Sequence, residues 1–142
     1  MEQILFGSWA IEVDVRKTKE FYDQYHLITD DCNCDYCSNY VLACSTFSSE
    51  LNALFHSLGI DPRKEGEVSE YTKNQDGTHL YGVFYHVRGK IVDGPTDWQP
   101  IKMNGQPVCE IRLSNELDLV PVRFPKPAIQ LEVQMNVPWL LR

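Results

Sequence analysis

The run Thr78–Arg88 constrains the fold more than any other stretch of the chain. His79, Tyr81, Val83, Tyr85 and Val87 alternate with Leu80, Gly82, Phe84, His86 and Arg88. A period of two places these sets on opposite faces of one β-strand. The same period recurs in Trp9, Ile11, Val13 and Val15, and in Ile129, Leu131, Val133 and Met135. Gly7-Ser8 separates Ile4–Phe6 from Trp9–Val15, and two residues opening on Gly suit a type II′ hairpin. Glu67–Tyr71, Pro107–Leu113, Val120–Phe124 and Ala128–Val137 are further predicted strands. Gly89-Lys90 reads as a tight turn into Ile91-Val92, and Asp93–Gln106 as a long loop.

Between these strands the period changes. Thr18–Tyr25 reads as a short helix, with Phe21, Tyr22 and Tyr25 on one side. Asp30–Cys37 is polar and irregular. From about Asp35 to Leu58 the pattern is helical, with Tyr40, Val41, Cys44 and Phe47 on one face and Leu51, Leu54, Phe55 and Leu58 on another. It fits one helix, or two with a break near Thr46–Ser48 and Ser48 as the second cap. Gly59 and Pro62 end it. Hairpin, helices and then strands, kept apart rather than alternating, predict an α+β fold with a mostly antiparallel C-terminal sheet or small sandwich. With 142 residues and no repeat or linker, the expectation is one domain over residues 1–142.

Charge narrows the partners. The net charge is −7, and no Lys or Arg occurs between Lys19 and Arg63. Phosphate binding depends on Lys and Arg, so no nucleic acid is expected as partner. The acidic half is a solubilising surface, or a surface for a basic partner. Neither a membrane span nor a signal peptide is legible, so the expected compartment is the cytoplasm, with no membrane partner.

Chemistry concentrates in Cys32-Asn33-Cys34-Asp35-Tyr36-Cys37, a C-x-C-x2-C cluster followed by Cys44. Zinc takes four ligands in a tetrahedron, with thiolate sulfur at about 2.3 Å. Cys32, Cys34 and Cys37 can supply three. Cys44 lies two helical turns from Cys37, roughly 10.5 Å along a helix, and suits the core instead. His26 is the candidate fourth ligand, with Asp30, Asp31 and the distant Cys109 as alternatives. The same cysteines fit reduced structural thiols. They also fit a thiol redox pair, Cys34 with Cys37, although a βαβ context is missing and the neighbouring aspartates disfavour a thiolate.

Asp31–Tyr40, Leu58–Lys64 and Tyr81–Gly89 together resemble a family of small uncharacterised proteins of Firmicutes. The resemblance covers roughly Cys32 to Ile91 and implies a bacterial, intracellular protein. That family has no established activity, so it implies no catalytic residue.

Two other regions are candidate binding sites. His79, Tyr81 and Tyr85 share a strand face that could form a platform for planar ligands, or ordinary sheet packing. Trp98 sits in the Asp93–Gln106 loop, a candidate binding loop. There is no G-x-S-x-G elbow, P-loop or G-x-G-x-x-G. Three functions remain: a non-enzymatic binding or protein-interaction module; a zinc protein on Cys32, Cys34 and Cys37; and a thiol redox protein.

Overall fold

A computed structural model describes residues 1–64, 67–117 and 119–141. The chain runs β1 (Glu2–Phe6), β2 (Trp9–Val13), α1 (Val15–Gln24), α2 (Ile28–Asp31), α3 (Asp35–Ala43), a 3-10 turn (Cys44–Thr46) and α4 (Ser49–Ser57). It continues with β3 (Glu67–Lys73), β4 (His79–Asp93), β5 (Gln99–Met103), β6 (Gln106–Ser114) and β7 (Ala128–Val137). The fold is α+β. The strands form one seven-stranded sheet in the order β1-β2-β4-β7-β6-β5, with β3 also beside β4. Every strand pair is antiparallel.

The hairpin at Gly7-Ser8 forms as expected. Phe6 pairs with Trp9 and Gly7 takes φ +57. The second strand stops at Val13, two residues short of the expected Val15. Asp14 ends it by capping α1, its carboxylate accepting from the Lys17 N–H at 3.0 Å. The helical stretch after Asp35 resolves into two helices, and Ser48 caps the second by accepting from Leu51 N–H at 3.1 Å.

Strand β4 is the axis of the molecule, and its edges explain how the helices attach. One edge pairs with β7 from His79 to Arg88. The other edge is shared: β3 pairs with His79–Phe84, and β2 with Gly89–Asp93. Between them, among the described residues, no strand lies alongside 85–88 on this edge, and α1 supplies hydrogen bonds there. The Tyr22 hydroxyl donates to the His86 carbonyl at 3.1 Å and accepts from the His86 N–H at 3.0 Å. One turn earlier, the Thr18 hydroxyl accepts from the Arg88 N–H at 2.9 Å while donating to the Asp14 carbonyl. Two hydroxyls at i and i+4 thus do the work of a strand edge, because buried backbone groups need partners.

Three expectations are corrected. Gly89-Lys90 is no turn: β4 runs straight through it. Gly89 is glycine because a Cβ there would lie 2.0 Å from the Glu12 carbonyl oxygen of β2. Asp93–Gln106 is mostly not a loop, since β5 occupies Gln99–Met103. Asn104 (φ 53) and Gly105 (φ 77) turn it tightly into β6. Asn-Gly is the strongest short hairpin signal, and it was legible in the sequence. Val120–Phe124 forms no strand. Pro121 and Pro125 flank Phe124, which is buried and closes over the sheet against Phe21, Tyr22 and His86.

Candidate metal centre

The cysteine cluster is built at the junction of α2 and α3. Ile28 anchors α2: its side chain is buried and its N–H donates to the Arg63 carbonyl at 2.9 Å. The stretch Asp30–Cys37, expected to be irregular, therefore holds the end of α2 and the start of α3. Cys32 ends it, its N–H donating to the Ile28 carbonyl. Cys34 then begins α3 as its N-cap, with a sulfur in the role usually taken by a hydroxyl or carboxylate. The Cys37 N–H donates to Cys34 Sγ at 3.5 Å. Only Asn33 lies between the two helix ends, and the chain reverses so tightly that Cys32 Sγ and Cys34 Sγ come within 3.2 Å. Cys37, one turn into α3, points back toward the same cap.

The three sulfurs all lie within 4.8 Å of one another, close enough to hold a metal ion. Tetrahedral zinc at about 2.3 Å from each thiolate separates sulfurs by about 3.8 Å. The observed spacing needs only small adjustments to meet that value. Cys32 and Cys34 are exposed and Cys37 is buried, so the cluster has a fixed inner ligand and two outer ones. All five cysteines are free.

The first turn of α3 is held from the sheet side. The Tyr81 hydroxyl donates to the Tyr36 carbonyl at 2.9 Å. Buried Asn39 donates to the Pro138 carbonyl and accepts from the Leu140 N–H, tying the C-terminal tail to the helix. Asn39 carries no sequence signal, because a polar residue inside a helix reads as solvent-facing. The cap sets the thiols apart electrostatically. The Cys37 N–H, and then the Cys32 thiol, hold the Cys34 thiol below its ordinary value. Burial pushes the Cys37 thiol well above it.

The other expected ligands are placed elsewhere. His26 is not in the sulfur group; its Nε2 pairs with Asp31 and its ring stacks on Tyr25 at 4.2 Å. Asp30 accepts from the Leu27 N–H and so caps the start of α2. Cys44 opens the 3-10 turn and is buried, as its position in the apolar pattern predicts, and Cys109 is buried on β6. The expected platform of His79, Tyr81 and Tyr85 is core rather than open surface. Tyr81 packs on Tyr40, Tyr85 packs on Phe55, and both are fully buried. His79 pairs with Glu70 at 3.2 Å beneath Trp139. Trp98 lies against Arg112, whose guanidinium is 5.3 Å from the ring centroid.

Burial pushes the Cys44 thiol up to about 12, with the Asp61 carboxylate adding to the shift, and the Cys109 thiol up to about 11. Unfolded thiols ionise near 8.5. The stability these protonated thiols contribute is therefore complete below about pH 8.5 and declines as pH rises through their folded values. Urea midpoints are expected to fall steadily above that point. A midpoint constant up to about pH 10.5 would contradict this burial.

Fold and cluster together define an α+β protein with three cysteines grouped closely enough for a metal ion. No family model, curated protein or solved structure matches the chain. No helix among the described residues is long and apolar enough to cross a membrane.

Proposed function

We propose that this chain is a zinc protein, with Cys32, Cys34 and Cys37 as thiolate ligands and the ion in a structural role. The observation that carries the reading is the grouping of three sulfurs within 4.8 Å at one helix cap. Thiolates select soft or borderline ions, and zinc accepts a tetrahedral set without geometric preference of its own. Three thiolates leave one position for water or an external ligand, and the exposed side of the cluster at Cys32 and Cys34 leaves room for it. Binding deprotonates Cys37 against its burial, so affinity falls as pH drops. Free cysteines suit a reducing compartment, in keeping with a cytoplasmic protein.

The ion's work is to pin α2 to α3. The apolar core lies mainly between the sheet and the helices, away from the exposed pair of sulfurs. Chelation is therefore expected to free the amides of residues 27–37 to exchange while the sheet stays protected. The test is metal content of untagged protein with a native thiol count. About one zinc per chain, with three thiols protected until a chelator is added, is the expected result. Absence of metal after zinc loading, with Cys32 and Cys34 alkylating freely, would overturn the reading.

A further inference from the structure

Cys32 and Cys34 differ from Cys37 in a way that a purely structural site does not require. Their sulfurs lie 3.2 Å apart, and both residues are exposed. Cys37 is buried. A solvent-borne oxidant therefore reaches two of the three ligands first, and these two already face each other across one intervening residue. The pair also belongs to the junction between two helices, where a small backbone change is absorbed by Asn33 rather than by a helix interior.

We propose that a hydroperoxide oxidises Cys32 and Cys34 to a disulfide and thereby releases the metal, which makes the centre a reversible peroxide-responsive switch; this rests on the zinc reading above. The steps balance with the hydroperoxide as the sole oxidant. The Cys34 thiolate attacks the outer peroxide oxygen, the O–O bond breaks, and the alkoxide or hydroxide that leaves takes up a proton. Cys34 is now a sulfenic acid. The Cys32 thiolate attacks its sulfur, the S–O bond breaks, and the departing hydroxide takes a second proton to become water. Two thiolates have lost two electrons, and the peroxide has gained them. The ion keeps only Cys37 of its three protein ligands and dissociates, because the thiolate and not the disulfide is the metal ligand. A dithiol reductant and fresh zinc restore the centre.

The chain provides a convenient readout. A protease that cuts before aspartate separates the fragment Asp31–Cys34 from the fragment that starts at Asp35 and carries Cys37. The experiment treats zinc-loaded wild-type protein with hydrogen peroxide and follows zinc release with a chromogenic chelator too weak to strip the untreated protein. The fragments are then mapped after blocking free thiols. The expected result is one zinc lost for each pair of thiols lost. The Asp31–Cys34 fragment is then recovered unblocked and short of the mass of its two thiol hydrogens, and dithiothreitol with zinc reverses both changes. A cross-link joining the two fragments, a sulfinic product without any cross-link, or zinc that stays bound after Cys32 and Cys34 are oxidised would each overturn the switch. Failure of the zinc reading shows earlier and separately, as protein that takes up no zinc before peroxide is added.

Discussion

Gly89→Ala is expected to cost more than about 3 kcal/mol of folding stability and to detach the N-terminal hairpin from the sheet. The added Cβ would lie 2.0 Å from the Glu12 carbonyl oxygen, and 3.0 Å from both the Glu12 carbonyl carbon and Val13 Cα. All three are backbone atoms, so no side-chain rotation relieves the contact. Strands β2 and β4 must separate, and β2 carries Trp9, Ile11 and Val13 into the core. Overpacking usually costs about 1–3 kcal/mol where side chains can shift, and here they cannot. A total stability of about 5–15 kcal/mol leaves little margin for such a loss. Urea denaturation measures the cost, and hydrogen exchange at Gln3–Val13 shows whether the hairpin leaves first. A variant within about 1 kcal/mol of wild type would mean that β2 and β4 do not approach this closely.

The second large effect is on the metal centre. Cys37→Ser is expected to reduce zinc affinity by well over a hundredfold, since even the outer-shell partners of a metal ligand are worth about 10–100-fold. Cys37 is the buried ligand, held one turn into α3 by a helix that Tyr81 and Asn39 fix to the sheet and the tail. Its two remaining partners are exposed and sit at the helix ends, so neither can take over its place. The sheet is not expected to notice the change, and circular dichroism should match wild type. Cys109→Ser, on β6, serves as the control that keeps its zinc. Equal zinc binding by both variants would remove Cys37 from the ligand set.

Period-two alternation located β2, β4 and β7 because each buries an apolar face in the core, and a one-residue slip would expose every apolar residue of that face. The C-x-C-x2-C spacing was also sufficient to choose Cys32, Cys34 and Cys37 and to reject Cys44, because helical rise alone separates Cys37 from Cys44 by two turns. Local rules failed where a distant segment decided the conformation. Gly89 looks like a turn residue until β2 is seen lying against it. Val15 looks like a strand residue until Asp14 caps α1 and docks its own N–H on the Arg88 carbonyl. Thr18 and Tyr22 look like ordinary residues of an amphipathic helix, and their hydroxyls complete the edge of β4. His26 has the right chemistry for a metal ligand, but its Asp31 partner and its stack on Tyr25 hold it outside the sulfur group.

What the sequence determined by itself was the class of fold, most of the strands, Ser48 as a capping residue should the helical stretch divide, and the identity of the three grouped cysteines. These depend on hydrophobic period, capping and helical rise, which act within a few residues of each other along the chain. Tertiary structure alone decided that β4 runs unbroken to Asp93, that Tyr81 and Tyr85 lie buried beneath helices, and that two of the three cysteines face solvent while the third does not. Each of those outcomes depends on which surface another segment covers, and burial is a property of the pair of segments rather than of either one.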